Sequence, residues 1–134
     1  MNNFVNIILI IFFLVLMSCS SNKDKVDIIE EEDIELQMID AYQEGLNALE
    51  EGDVLFAAKK FNEAELVYPQ SDWAPKSALM SAYSYYTHDY YGDAIFELER
   101  FIKVYPKDKR LAYAYFLKAI CFYEQIHDEK KDLG

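Results

Sequence analysis

Only two cysteines occur among the 134 residues, and the first, Cys19, stands where a thiol could be chemically modified. It follows Ser18 and a largely apolar run over residues 4–17, in which Asn6 is the one polar residue. A bilayer-spanning helix needs about 20 apolar residues, so this run is too short for an easy crossing. Its length matches the apolar region of a secretory signal. The pattern predicts an exported protein whose first reactive group lies directly after its signal.

The residues Leu16-Met17-Ser18-Cys19 resemble the lipobox of bacterial lipoproteins. That resemblance implies a diacylglycerol on the Cys19 thiol, cleavage before the cysteine and acylation of the new amino group. Each buried CH₂ contributes about 0.8 kcal/mol, so several chains on one residue anchor stably. We therefore expect a signal peptide over 1–18 and lipidation at Cys19. Residues 1–6 lack the Lys or Arg of a usual signal, and an uncleaved anchor helix is the alternative.

The formal net charge of -11 falls entirely on the chain beyond residue 18. Strong acidity argues against nucleic-acid partners and against charge-driven binding to anionic lipid surfaces. If Cys19 is lipidated, no disulfide is possible within this chain. Cys121 lies in an apolar stretch and is predicted to be a small buried hydrophobic residue.

No motif predicts an enzyme, a cofactor site or a metal site. His88 and His127 are both expected to follow helices, and neither has another ligand at metal-binding spacing. The acidic run over 30–33 is typical of solvated charge. Glycine-rich phosphate loops are absent from the sequence, and carboxylate pairs mean little among 24 acidic residues. No catalytic residue is therefore assigned.

The polar, acidic stretch over 19–35 is predicted to be a tether between the anchor and the domain. A frayed first helical turn is the alternative. From residue 36 to residue 134 the pattern becomes helical, with few glycines or prolines to interrupt it.

Small residues and a proline recur here with the spacing of the tetratricopeptide repeat, a pair of antiparallel helices about 34 residues long. Small side chains are needed where two helices cross closely, and proline ends the second helix. Phe61 and Leu66 are expected to fill the space between the small positions. In the connector, Ser71 or Asp72 is expected to cap the next helix, with Pro75 in its first turn. The pattern positions are Gly45, Ala57, Ala64 and Pro69, then Ala82, Ala94 and Pro106, then Ala119.

The predicted fold is therefore all-α, a tetratricopeptide-type solenoid of helical hairpins with two repeats and the first helix of a third. That last helix is expected to run from 111 to about 125. A first helix without its partner predicts a truncated domain, because a solenoid buries each face against a neighbour. The alternative is a complete short protein in which 111–126 act as the cap.

In such solenoids the first helix of each pair lines the concave face. Projecting its positions through the 37-residue period gives three rows of apolar and aromatic side chains. A groove of this composition suits an extended or helical peptide with apolar anchors. The alternative is that several of these residues pack between adjacent repeats. The predicted peptide-binding residues are Tyr42, Leu79 and Phe116; Leu46, Tyr83 and Ile120; and Leu49, Tyr86 and Tyr123.

Several segments together resemble the BamD family, the lipoprotein subunit of the outer-membrane barrel assembly machinery. They are Ser71-Asp72-Trp73-Ala74, Asp93-Ala94-Ile95, Tyr105-Pro106 and Cys121-Phe122-Tyr123. The family folds as about five helical pairs, so this chain resembles its N-terminal part, and the family's contacts to the barrel-forming subunit lie mainly further along.

The resemblance implies a lipid-anchored periplasmic scaffold that helps deliver and insert β-barrel proteins into the outer membrane. The implied partners are the barrel-forming subunit, other lipoproteins of the machinery and unfolded outer-membrane precursors. Ser20 after the cysteine implies sorting to the outer membrane.

Two other classes of protein fit the same pattern. One is an envelope repeat scaffold for cell-wall or division proteins, and the other is the non-catalytic module of a larger enzyme. Further helical pairs downstream would favour the assembly machinery, whereas an alternating αβ pattern or a catalytic motif would favour the enzyme.

Overall fold

The computed structural model describes residues 31–131, and these residues form five helices and no strand. Each helix packs against the next one along the chain, as expected for stacked helical hairpins. This confirms the predicted all-α, tetratricopeptide-like solenoid of two pairs and one further helix. The helices are α1 (Glu31–Glu51), α2 (Val54–Val67), α3 (Ala74–Tyr86), α4 (Tyr91–Val104) and α5 (Leu111–Lys131).

Two helix boundaries differ from the prediction. The first helix begins at Glu31 rather than at residue 36, so the last residues of the predicted tether are helical. The last helix continues to Lys131, which places His127 within a helix rather than after one. The signal, Cys19 and the rest of the tether lie outside the described residues.

The first pair is held together where a glycine meets an aromatic ring. A Cβ atom added at Gly45 would lie 2.9 Å from two ring carbons of Phe61, so only glycine permits this approach. Ala57 and Ala64 are fully buried beside it. The predicted crossing is therefore present, but Leu66 is 75 % exposed and does not fill it. The core of this pair comprises Met38, Ala41, Tyr42, Ala48, Ala57, Phe61 and Ala64.

The second core joins α3, α4 and α5. Phe101 stands one period after Ala64 and is fully buried there, 5.4 Å from the ring of Tyr105. Cys121 is also fully buried, as predicted, and burial raises the pKa of its thiol to about 11. The buried members are Ala78, Leu79, Ala82, Ala94, Leu98, Phe101, Ala114, Leu117 and Cys121.

One serine makes two hydrogen bonds within the connector between the pairs. Ser71 Oγ donates to the carbonyl of Tyr68 at 2.7 Å and accepts from the amide of Ala74 at 3.2 Å. These two bonds link the end of α2 to the start of α3, which has Pro75 in its first turn. Trp73 is the N-cap residue of α3 and makes no side-chain capping bond, so of the two predicted capping residues only Ser71 reaches a first-turn amide, that of Ala74.

A buried charge cluster joins the second helices of the two pairs. Arg100 on α4 donates to both carboxylate oxygens of Glu65 on α2, at 2.8 and 2.7 Å. It also donates to Glu97 at 2.9 Å and to Asn62 at 3.1 Å, and the hydroxyl of Tyr105 donates to Glu65 at 2.7 Å. Glu65 is only 5 % exposed, so these bonds replace the water that it loses. The cluster fixes how one pair sits on the next.

We expect Arg100→Leu to lower the free energy of unfolding by roughly 1–3 kcal/mol, because it leaves the Glu65 carboxylate buried without its cationic partner. Glu65→Leu combined with Arg100→Leu should recover part of this loss, since the Glu65 charge is gone and only Glu97 still lacks its bond to Arg100. Urea denaturation of both single variants and the double variant measures the coupling. Strictly additive losses would contradict the pairing.

Candidate functional site

The first predicted row lies mostly inside the protein. Tyr42 and Leu79 are each only 7 % exposed. The Tyr42 ring stands edge-on to Phe61 at 5.2 Å and to Trp73 at 5.1 Å between centroids. Tyr42 is therefore a packing residue of the first pair. This agrees with the alternative given above, in which such residues pack within the solenoid instead of binding a peptide. Leu79 is mostly a core residue as well, but it also reaches the wall of a cavity described below.

The second and third rows are half-buried along α1 and α3. Leu46 and Leu49 pack against the first core. Tyr83 and Tyr86 pack against the second core, with their ring centroids 6.2 Å apart. These side chains support the cores with one part of their surface and present the remainder to solvent.

On α5 the predicted residues are much more open. Phe116 is 61 % exposed and Tyr123 is 67 % exposed, while Ile120 is half-buried. No helix follows α5 in the described part of the chain. The nine predicted residues therefore do not form one continuous exposed strip.

Two of the nine, Leu79 and Tyr83, meet in a cavity of about 410 Å³ between α3 and the start of α5. Its wall is largely apolar, with two cationic side chains at the rim. A cavity of this size and character can take one large apolar side chain. The lining residues are Lys76, Leu79, Met80, Tyr83, Arg110 and Tyr113.

The sequence analysis did not predict four of these lining residues, although the 37-residue period relates their positions to one another and to the predicted rows. Lys76 and Tyr113 stand one period apart, three residues before Leu79 and Phe116. Helical residues three or four positions apart share a face, so this row continues the predicted strip by one turn. Arg110 precedes α5 as Trp73 precedes α3, again one period apart. Met80 is the neighbour of Leu79.

A second cavity of about 370 Å³ adjoins the first, and it is polar. The two cavities share Lys76 and Arg110. The polar cavity gathers four cations and two carboxylates, although the chain as a whole carries a net charge of -11. Its lining residues are Asp72, Trp73, Lys76, Lys107, Asp108, Lys109 and Arg110.

Lys76 is held at the boundary of the cavities by two aromatic faces. Its Nζ atom lies 4.2 Å from the ring centroid of Trp73 and 4.7 Å from that of Tyr42. A cation over an aromatic face is attracted by the negative charge of the ring face. The ammonium group is therefore positioned before any ligand arrives.

Arg110 is positioned by Asp108 in a bidentate ion pair. Arg110 Nε lies 2.8 Å from Asp108 Oδ1, and Nη2 lies 2.9 Å from Oδ2. The backbone amide of Arg110 also donates to Oδ1 at 2.8 Å. Hydrogen bonding to Arg110 lowers the pKa of the Asp108 carboxyl below its ordinary value of 3.8, and the same pair raises the pKa of Arg110.

This arrangement offers binding groups: an apolar cavity, fixed cations and open aromatic faces. Among residues 33–126, whose side chains the structure describes, no group of His, Cys, Asp or Glu is arranged to hold a metal ion. None of the five described helices combines the length and apolar character that a bilayer crossing requires.

Comparison with known proteins points to one family. The family model YfiO, described as an outer membrane lipoprotein, matches residues 34–134. The chain is 36 % identical over 115 residues to the outer membrane protein assembly factor BamD of Caulobacter vibrioides, covering 85 % of this chain. It is 33 % identical over 124 residues to the BamD protein of Rickettsia prowazekii, covering 92 % of this chain.

A more distant relative, the BamD protein of Neisseria gonorrhoeae, is 29 % identical over 84 residues, or 63 % of this chain. The alignments cover 36 %, 47 % and 32 % of these three relatives respectively, so the chain spans less than half of their length. No solved structure matches the chain significantly.

The Asp108–Arg110 pair should make stability depend on pH in the acid range. A depressed folded-state pKa contributes stability above the ordinary value of 3.8, and that contribution is lost as pH falls through the folded-state pKa. We expect Asp108→Asn to lower the free energy of unfolding at pH 7 by roughly 1 kcal/mol. The difference from wild type should vanish in strong acid, as urea denaturation at several pH values would measure. A pH-independent difference would contradict the ion pair.

Proposed function

The chain belongs to the BamD family of outer membrane protein assembly factors, and from this we propose that it is a lipid-anchored periplasmic scaffold of the outer-membrane barrel assembly machinery. In this role it helps deliver and insert β-barrel proteins into the outer membrane. The single observation that carries the proposal is the 36 % identity to a named assembly factor over 85 % of this chain. Because the chain spans less than half the length of these relatives, we propose, and do not observe, its activity and its partners.

The proposed attachment to the outer membrane is through acyl chains on Cys19. This cysteine lies outside the described residues, and its assignment depends on the resemblance of Leu16-Met17-Ser18-Cys19 to a lipobox. A family model described as an outer membrane lipoprotein is consistent with that reading. Ser20 after the cysteine supports retention at the outer membrane, with the helical domain facing the periplasm.

The proposed partners are the barrel-forming subunit, other lipoproteins of the machinery and unfolded outer-membrane precursors. For the precursors, the structure offers the apolar cavity between α3 and α5. Barrel strands alternate apolar and polar residues and carry aromatic girdles at their ends, so a precursor can bring an aromatic anchor to this cavity. Ordering an unfolded segment costs entropy, which keeps such a contact weak enough for the client to be handed on.

The proposed binding surface is smaller than the nine-residue strip. It centres on Leu79 and Tyr83, where the cavity opens, and it adds Met80 and Tyr113. Tyr42 supports this surface from beneath through Trp73. An envelope scaffold for other partners and a module of a larger enzyme were the alternatives, and membership of the BamD family favours the assembly role over both.

Lipidation at Cys19 is tested by Cys19→Ala. We expect this variant to accumulate as a larger, unprocessed protein that incorporates no labelled fatty acid, because the modified thiol is missing. Cys121→Ala is the matched control and should be processed and labelled normally, since Cys121 is buried in the core. Equal labelling of wild type and Cys19→Ala would contradict the anchor.

Binding of precursors is tested by photocrosslinking in cells. A photoreactive residue at Tyr113, on the cavity wall, should capture unfolded barrel precursors. The same residue at Leu66, which is exposed on α2 and lines neither cavity, is the control and should capture few. Equal capture from both positions would rule out the cavity as the precursor site.

A further inference from the structure

We propose that the two adjoining cavities together bind one bipartite element, an aromatic side chain followed two residues later by an Asp or Glu in an extended segment. The aromatic ring enters the apolar cavity, and the carboxylate meets the cations of the polar cavity. This inference rests on the proposed function and specifies which parts of a barrel precursor the protein prefers.

The apolar cavity carries the first half of the inference. Its volume of about 410 Å³ and its walls of Leu79, Met80, Tyr83 and Tyr113 suit a Tyr, Phe or Trp side chain. Two of the walls are tyrosine rings, which an incoming ring can meet edge-on or in an offset stack. Tyr113 is itself exposed, so the entrance is open in the described part of the chain.

The second half rests on charge. An acidic chain with a net charge of -11 places Lys76, Lys107, Lys109 and Arg110 around one cavity. Asp72 and Asp108 also line it, but Asp108 is committed to Arg110. Lys107 and Lys109 are both exposed. The surplus of positive charge is complementary to a carboxylate, and long-range attraction would steer an acidic segment there.

The shared residues set the spacing of the ligand. Lys76 and Arg110 line both cavities, so the aromatic ring and the carboxylate must be close together in the bound segment. In an extended segment, residues two apart project from the same side about 7 Å from each other. An aromatic residue and an acidic residue at that separation reach both cavities at once.

Barrel precursors contain this combination where a strand ends. Girdle aromatics lie at the membrane interfaces, directly before the turns that join neighbouring strands. Aspartate is among the residues preferred in tight turns. Strand-to-turn junctions therefore repeat along an unfolded barrel, which gives the protein many equivalent weak sites on one client.

An isolated phosphate fits these observations less well. It would pair with the cations but leave the adjoining apolar cavity without an occupant. A flat membrane surface cannot bring a headgroup and an apolar anchor into a recess between two helices. A peptide side chain pair uses both cavities, which is why a protein segment is the occupant that we propose.

The test uses the full mature protein and short peptides with amidated C-termini. One peptide carries a Tyr followed two residues later by Asp, and its matched partner carries Asn in place of the Asp. A third peptide contains Asn in place of Asp, like the second, but its last residue is a Tyr whose terminal carboxylate is left free instead of amidated. Binding is measured by fluorescence anisotropy of labelled peptide, with vesicles containing an anionic lipid as a competitor. Trp73 lines the polar cavity and supplies an internal emission signal.

We expect the Asp peptide to bind about tenfold more tightly than the Asn peptide, because a charge-assisted hydrogen bond is lost in the latter. Its affinity should fall as salt rises. Lys107→Gln with Lys109→Gln should weaken binding about fivefold, whereas Lys59→Gln with Lys103→Gln, which lie on neither cavity, should leave it unchanged. Tyr113→Ala should weaken binding about fivefold, and Tyr115→Ala should not.

Several results would overturn the inference. Equal binding of the Asp and Asn peptides would remove the carboxylate from recognition. Preference for the free terminal carboxylate would assign the cations to a chain end, and displacement by anionic vesicles would assign them to lipid. If both double lysine variants lost the same amount of affinity, the effect would come from the overall charge of the protein and not from the polar cavity. If precursors crosslink at Tyr113 in cells but acidic residues do not matter, this inference fails alone; if they do not crosslink, the proposed function fails as well.

Discussion

The close approach of α1 and α2 at Gly45 is the constraint on which the rest of the molecule depends. With no side chain at that position, the Phe61 ring lies against the backbone of α1, and Ala57 and Ala64 let the helices cross at short distance. Small side chains at a crossing allow a short interaxial distance. Each helix then packs against the next one along the chain, and residues one period apart occupy equivalent positions in successive pairs.

Those rows explain why the fold was predictable from the sequence and the site only partly so. Gly45, Ala57 and Pro69 have spacings that a helical hairpin requires, and their recurrence one period later gives the number of pairs. The projection groups residues of the first helices by their position in the repeat. The sequence does not show how deeply each side chain is buried. Tyr42 is covered by the indole of Trp73, which comes from the connector, and the repeat pattern does not predict that contact.

Charged contacts between the pairs were not predictable for a similar reason. Glu65 and Arg100 are 35 residues apart and look like ordinary solvated residues on two helices. Only the packed arrangement brings them together and excludes water. The error at Leu66 has the opposite cause, since an apolar residue in a helix was expected to be inside, and single exposed apolar residues are common. Likewise Lys76 and Arg110 look like surface charges until the two helices form a recess between them.

The Arg100 cluster also bears on how the domain unfolds. In repeat proteins stability is approximately a sum of the intrinsic stability of each unit and the coupling between nearest neighbours. Here the coupling contains a buried carboxylate on one pair whose hydrogen-bond donors, Arg100 and Tyr105, come from the other. Loss of the second pair would deprive Glu65 of both donors, whereas loss of the first pair would leave Arg100 bonded to Glu97. The contact between the pairs therefore contains a directional, charged contribution that a purely apolar interface would lack.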